Sequence, residues 1–405
     1  MRILHFADAH IDMVTQGRID PETGLPVRVI DFLTSLDQIV DRAIEEAVDL
    51  VVFAGDAYKD RNPQPTYQRE WGKRIMRLSQ AGIPTVLLVG NHDVARASNR
   101  AHTLHEFRTL AVPYVHVGDR IELLGPKELG IPVQVLTLPW VSRSTLMTRQ
   151  DTAGLTVQQV LEKIENLITS AVQNLLAQAD PDLPLILTAH ASVQGAKYGS
   201  ERTVMLGHEV VFSHSLMRNK RIDYVALGHI HKHQDLNPDS HPPVIYPGSI
   251  ERIDFGEARE QKGYVLADVK RGETTWEFVP LKTRRFIDLA IDTPSADSFM
   301  ADIMDRLPDA NKVAGAVCRL RLSYPRDWEP LLDENGIAEQ LKEALSFQIL
   351  KDRSTAKRSR LGDTTAVDQL TPLDLLETYW RTVDLEAEEM GAMQELAKEI
   401  LGKTA

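Results

Sequence analysis

Gly90-Asn91-His92-Asp93, preceded by the apolar run Val86-Leu87-Leu88-Val89, is the stretch on which the fold of this chain turns. Four apolar residues between Pro84 and Gly90 are too few for a helix, and they predict a fully buried strand. A carboxamide, an imidazole and a carboxylate emerge where that strand stops, and Gly90 is expected to let the backbone turn sharply there. In open α/β sheets chemistry gathers at the carboxyl ends of strands, because loops there bring side chains together over one crevice. A polar turn after a single strand is ordinary, but here the arrangement recurs four more times.

Ile3-Leu4-His5-Phe6 runs into Asp8-Ala9-His10, and Leu50-Val51-Val52-Phe53-Ala54 runs into Gly55-Asp56. Leu185-Ile186-Leu187-Thr188-Ala189 is followed by His190, and Asp223-Tyr224-Val225-Ala226-Leu227 by Gly228-His229-Ile230-His231. Amphipathic patterns predict helices over about residues 27–47, 66–80 and 156–179, so the first strands are joined by right-handed crossovers that deliver polar residues to one edge. Shorter strands are expected between 113 and 138, with closing antiparallel strands at 244–249, 264–269 and 275–281.

The organisation that follows is a first domain at 1–283, a small α/β domain at 284–351, a basic linker at 352–370 and a helical segment at 371–402. The linker begins with Lys351, Arg353, Lys357, Arg358 and Arg360 around Asp352, a solvated run that could also touch phosphate. In the last segment Leu376, Tyr379, Trp380, Val383, Ala387, Met390, Met393, Ala397 and Ile400 recur at three and four residues. Packing onto the same chain would use such a stripe, but Trp, Tyr and Met beyond a charged linker suit a partner's groove better.

With 405 residues the chain can hold one large core and one or two smaller domains. No apolar segment approaches the roughly 20 residues of a membrane helix, and Arg2 leads into a strand without a secretory pattern. Cys318 is the only cysteine, which excludes an intrachain disulfide and fits a reducing cytoplasm, the expected location. A net charge of −12 argues against bulk electrostatic adhesion to nucleic acid while leaving a local site open.

The strand-end groups Asp8, His10, Asp56, Asn91, His92, His190, His229 and His231 are oxygen and imidazole donors without a thiolate. Such a set suits Mn2+, Fe2+, Co2+ or Zn2+ better than Mg2+ alone, and it is too large for one ion. Two ions with a carboxylate between them would use the whole set, and two ions about 3.5–4 Å apart form a clamp for in-line displacement at phosphorus. Any one residue has a plain structural explanation: His190 as a strand-end histidine, Asp8 as a turn cap. For all of them together that explanation requires five separate coincidences.

These motifs, in this order, resemble those of the calcineurin-like metallophosphoesterases, and within that superfamily the SbcD-type DNA-repair nucleases. Tyr246-Pro247-Gly248-Ser249, Glu251-Arg252 and Asp254-Phe255-Gly256-Glu257 look like the segment that follows the metal site in those nucleases. The resemblance implies an α/β fold: a β-sandwich flanked by helices in four layers (α/β/β/α), with a small α/β capping domain and a helical tail.

It also implies that Asp8, His10, Asp56 and His231 hold one metal and that Asp56, Asn91, His190 and His229 hold the other, with Asp56 as bridge. The catalytic pair would be His92, acting on the leaving oxygen, and Asp93, orienting it. Two divalent ions, Mn2+ by family preference, DNA as substrate, an SbcC-like ATPase as partner, and a homodimer within a heterotetramer are further implications. Lys59 departs from the family pattern, in which that position is histidine or aspartate; it is either a solvated charge or a grip on a DNA phosphate. The activity implied is 3′-5′ exonuclease and single-strand endonuclease cleavage; the alternatives are a phosphatase or phosphodiesterase for other phosphoesters, and a non-catalytic scaffold.

Overall fold

A computed structural model describes residues 1–14, 18–94, 101–141, 154–199, 209–293 and 295–354, together with 373, 376, 380, 391, 393–397 and 400. Two six-stranded sheets carry the first part of the chain. The first contains β1 (Arg2–Phe6), β2 (Leu50–Phe53), β3 (Thr85–Leu88), β4 (Val115–Gly118), β13 (Gly263–Lys270) and β14 (Glu273–Pro280), in the order β14-β13-β1-β2-β3-β4. The second contains β5 (Glu122–Leu124), β6 (Gln134–Leu138), β7 (Leu185–His190), β10 (Tyr224–Gly228), β11 (Gln234–Asp235) and β12 (Val244–Tyr246), in the order β11-β12-β10-β7-β6-β5. A short pair, β8 (Ser192–Val193) and β9 (Val211–Phe212), lies outside both.

The continuous apolar runs form strands covered on both faces, as such runs must. One face of each sheet, with Ile3, Leu50, Val52 and Val86 from the first and Val135, Ile186, Ala226 and Ile245 from the second, builds the core between the sheets. The opposite residues of the first sheet, Leu4, Phe6, Val51 and Phe53, pack against α1 (Val27–Glu45) and α2 (Pro65–Gln80). In α1 the buried stripe Val29, Phe32, Leu33, Leu36, Ile39, Val40 and Ala43 keeps helical spacing, and each larger side chain contributes about 1.5–3 kcal/mol by leaving water.

The outer face of the second sheet is covered by the helix Val157–Gln178, whose Val160, Ile164, Ile168, Val172 and Leu176 recur every four residues. Thr156 and Gln159 close a capping box at its start, with Thr156 Oγ1 accepting from Gln159 N at 3.3 Å and Gln159 Oε1 accepting from Thr156 N at 2.9 Å. The four expected layers are present.

Parallel pairing of β1, β2 and β3, and of β7 and β10, sets the carboxyl ends of these five strands along one edge of each sheet. β12 meets its expectation on one side only: it pairs antiparallel with β11 but in parallel with β10, while β13 pairs antiparallel with both β1 and β14. Periodicity finds strands but not their direction, which depends on where the connecting chain returns. The five-residue helix His105–Thr109 was also not anticipated, being too short to show a period.

Three further strands, Phe286–Asp292, Val317–Pro325 and Ser346–Ser354, form a sheet with the second in the centre. Two compact units result: Met1–Leu289 with Pro308–Arg319 and Glu339–Gln348, and Ala290–Leu307 with Leu320–Ala338 and Ile349–Ala405. In the second unit Phe299, on the helix Phe299–Arg306, packs edge-on against Tyr324 and Trp328, and Glu329 accepts from Tyr324, Lys351 and Arg353. The first residues of the expected basic linker, through Ser354, belong instead to the strand Ser346–Ser354, with Lys351 and Arg353 paired to Glu329; from 355 onward the linker lies outside the described residues, and so does most of 371–402. The described positions of that segment are helical, with Trp380 and Ala397 buried and Met393 and Leu396 exposed. No helix among the described residues is long and apolar enough to cross a membrane.

Candidate metal centre

The turns after β1, β2, β3, β7 and β10 bring Asp8, His10, Asp56, Asn91, His92, His190, His229 and His231 together. Two groups of donor atoms, Asp8 with His10 and His231, and Asp8 with Asp56 and His190, each lie within 4.8 Å of one another. Asn91 Oδ1 stands 2.9 Å from His190 Nε2 and 3.0 Å from His229 Nδ1. Asp56 Oδ2 lies between the two histidine pairs, 3.7 Å from His10 Nε2 and 3.4 Å from His190 Nε2. The His92 ring meets that of His10 edge-on at 5.1 Å.

The backbone is bent to present these groups. Asp8, His10, Asp56 and His229 adopt φ of 52°, 39°, 64° and 98°, half of the eight non-glycine residues with positive φ among the described residues. Each such residue costs on the order of 1–3 kcal/mol, a strain that concentrates where side chains must converge. Gly55 has φ +100°, and a Cβ there would stand 2.3 Å from His190 Nδ1. The chain turns at Gly90 as expected, its carbonyl accepting from Asp93 N at 3.2 Å, but without a positive φ; the glycine is needed because a Cβ would lie 2.1 Å from Asp56 Oδ1.

Every clustered imidazole has its far nitrogen anchored to an oxygen. His10 Nδ1 faces the Tyr58 carbonyl at 3.2 Å, His190 Nδ1 the Ala54 carbonyl at 2.7 Å, His229 Nε2 the Glu209 carboxylate at 2.9 Å, and His231 Nδ1 the Glu257 carboxylate at 2.9 Å. Carbonyls and carboxylates only accept, so each imidazole in its neutral form keeps its proton on the far nitrogen and turns the lone pair of the near one inward. His10 Nε2 and His231 Nε2 therefore face each other at 3.2 Å. Two lone pairs in that position repel unless a cation lies between them, and 3.2 Å is about the spacing of two nitrogens each roughly 2.0–2.1 Å from one ion. By this test the donors fit a bound metal.

The electrostatics agree. Burial pushes the Asp8 carboxyl up to about 6 despite the nearby imidazoles. Burial opposes both charges of the Asp56–His190 pair, but their attraction prevails, holding Asp56 well below the ordinary range and raising His190 to about 9. A metal at this position would displace that proton.

Asp93 is wholly buried and holds the turn. Its Oδ2 accepts from Asp56 N and Gly90 N, both at 2.9 Å, and its Oδ1 from Ala57 N at 3.2 Å and Thr103 Oγ1 at 2.9 Å. It does not reach His92: the His92 ring is anchored instead by Nδ1–H donating to the Lys59 carbonyl at 2.8 Å, and its backbone N donates to Asp56 Oδ1 at 2.8 Å. Burial lowers the affinity of His92 for a proton, against the pull of Asp56. Lys59 is exposed and, with Asp60, Arg61, Asn62 and His92, lines a cavity of about 540 Å³.

Glu209, Glu257, Thr103 and Trp140 were not singled out from sequence as parts of the site. Trp140, two residues beyond β6, packs its ring 5.0 Å from His229. Its place after a buried strand was the available signal, and Glu257 stood in a quoted motif without a role. Glu209 carried none, because its use depends on where the chain after β8 returns.

Stacked sheets with an oxygen- and imidazole-rich cluster along their carboxyl edge define a metal-dependent hydrolase of phosphoesters. A family model described as calcineurin-like phosphoesterase matches residues 1–233, more than half of the chain, and the chain belongs to that family, whose members use a dinuclear metal centre. Among solved structures it is similar to the TT1561 protein of Thermus thermophilus, at 15% identity and a TM-score of 0.40, covering 68% of this chain and 98% of that one. It is also similar to a dimetal phosphatase from Danio rerio, at 13% identity and a TM-score of 0.38, with the same coverage of 68% and 98%.

Proposed function

We propose that this phosphoesterase is a DNA nuclease, the hydrolytic subunit of an SbcC–SbcD-like double-strand-break repair complex, cutting 3′-5′ on duplexes and endonucleolytically on single strands. The observation that carries the hydrolytic part is the meeting of eight strand-end side chains around inward-facing donor atoms. DNA as substrate is supported by the motif order and by Lys59, Arg61 and Asn62 beside His92, two cations and an amide against the single acid Asp60 in the same cavity wall. The small α/β domain and the apolar-striped tail support a macromolecular partner, since a small phosphoester requires neither.

In this reading Asp8, His10, Asp56 and His231 hold one ion and Asp56, Asn91, His190 and His229 the other. The position of Asp56 between the two histidine pairs supports it as the bridge. Bound divalent ions, Mn2+ by family preference, would activate water and neutralise phosphate charge.

The chain's own groups do the rest. His92, with Nδ1–H fixed on the Lys59 carbonyl, presents Nε2 to the cavity. As water oxygen bonds to phosphorus and the P–O3′ bond breaks, a proton on Nε2 passes to the departing oxygen. An incoming phosphodiester opposes the burial effect on His92 and favours its protonated form. Asp93 acts through the backbone, holding the Asp56 and Gly90 amides.

The test is digestion of end-labelled duplex and circular single-stranded DNA with Mn2+, with and without an SbcC-like ATPase. Shortening of 3′ ends and nicking of circles are expected. Hydrolysis of phosphomonoesters or phosphoproteins with DNA left intact would return the protein to the phosphatase reading.

A further inference from the structure

A second cluster of ligand types lies away from the strand ends. His102, His105 and Asp119 place one donor atom each within 4.8 Å of one another. The imidazole rings of His102 and His105 meet edge-on at 5.1 Å, and His102 Nε2 is 3.5 Å from Asp119 Oδ2. Two donors about 2.0–2.1 Å from a tetrahedral ion stand about 3.3–3.4 Å apart, so this pair is already at ligand spacing.

Both ring nitrogens of His102 are shielded from solvent; Nε2 has only its 3.5 Å approach to Asp119, and Nδ1 has no hydrogen-bond partner among the described residues. A sheltered imidazole without a firm partner is costly and calls for an occupant. His105 is exposed and free to close the remaining gap by side-chain rotation. The adjoining cavity, about 560 Å³ and also lined by Arg61, Asn62 and Glu106, leaves room for water to complete the shell. The His102 imidazole and the Arg108 guanidinium hold Asp119 down to about 2, so it is a carboxylate at neutral pH.

We propose that His102, His105 and Asp119 form a third cation site, of the zinc class, separate from the phosphoesterase centre. Two imidazoles and one carboxylate with an open fourth position are a donor set that Zn2+ accepts in tetrahedral geometry. Arg108, whose Nη1 lies 2.6 Å from both oxygens of Asp119, opposes a dication while leaving lone pairs on each oxygen. Affinity is therefore moderate, and Arg108→Gln should tighten it. The consequence is mechanical: Thr103, next to His102, donates to Asp93, which holds the Asp56 and Gly90 amides. An ion joining 102 and 105 to 119 steadies that arm.

This site does not depend on the nuclease reading, and the experiment keeps the two apart. Asp56→Asn removes the shared carboxylate of the main centre, and His105→Gln alters an exposed residue of the third site without disturbing the fold. After dialysis against Zn2+, Asp56→Asn is expected to hold about one ion per chain more than Asp56→Asn/His105→Gln, and to melt at a higher Tm. Substituting Co2+ should give the intense visible bands of a tetrahedral site in the first variant and not in the second. Equal metal content and equal Tm in the two variants, whether both hold an ion or both lack one, would overturn the proposal.

Discussion

Gly90→Ala tests the geometry of the centre with a single methyl group. The added Cβ would stand 2.1 Å from Asp56 Oδ1, 2.5 Å from Asp56 N and 2.8 Å from Asp56 Cγ. To reach even the 3.0 Å at which real Cβ contacts begin, Oδ1 must retreat by about 0.9 Å, and because Asp56 N is also too close, rotating the side chain alone does not relieve the clash. The displaced carboxylate is the one lying between His10 and His190, and a misplacement near 1 Å in a catalytic group costs on the order of 100-fold in rate. Overpacking of this kind costs about 1–3 kcal/mol, so the fold should survive.

The assay is Mn2+-dependent hydrolysis of bis(p-nitrophenyl) phosphate, with metal content and thermal melting measured on the same sample. Gly72→Ala is the control: it lies in α2 with nothing within 4 Å of a Cβ, and should keep full activity while gaining roughly 0.5–1 kcal/mol of stability. If Gly90→Ala hydrolyses the diester within threefold of wild type at unchanged metal content, the argument that Asp56 is held by close packing against Gly90 is wrong.

His92→Gln should keep wild-type metal content yet lose about 10²–10⁴-fold in DNA cleavage, measured by gel digestion; normal digestion would remove His92 from its role. Glu257→Gln, which loosens the anchor on His231 Nδ1, should weaken metal binding about 10–100-fold by calorimetric titration, a change absent if the carboxylate only fills space. Chelation with EDTA should lower Tm and Mn2+ restore it, because buried Asp8 and the inward-facing imidazoles lose their shared cation. The Arg353 guanidinium and the Tyr324 hydroxyl, with Lys351, hold Glu329 down to about 2 from 4.5. A depressed carboxyl stabilises above its unfolded value, so urea melts of wild type and Glu329→Gln should differ at pH 7 and converge as pH falls from about 4.5 toward 2. A gap that persists at low pH would point to packing instead.

Much of the first domain was legible because a strand covered on both faces has to be written in consecutive apolar residues, and the polar residues at its end are then conspicuous. β1, β2, β3, β7 and β10 were found in this way, and the groups that follow them are those that meet at the centre. The four layers were implied by the family resemblance, and the amphipathic helices between such strands supply the outer two.

What the chain's order of residues could not contain was distance. That Gly90 is needed for the closeness of Asp56 and not for a positive φ, that Asp93 grips backbone amides and not His92, and that Glu209 and Glu257 buttress two histidines are contacts between segments remote in sequence. The direction of β12 belongs with them. Local pattern is set by what one segment must bury, whereas the partners of a polar atom are chosen only when the two sheets close on each other.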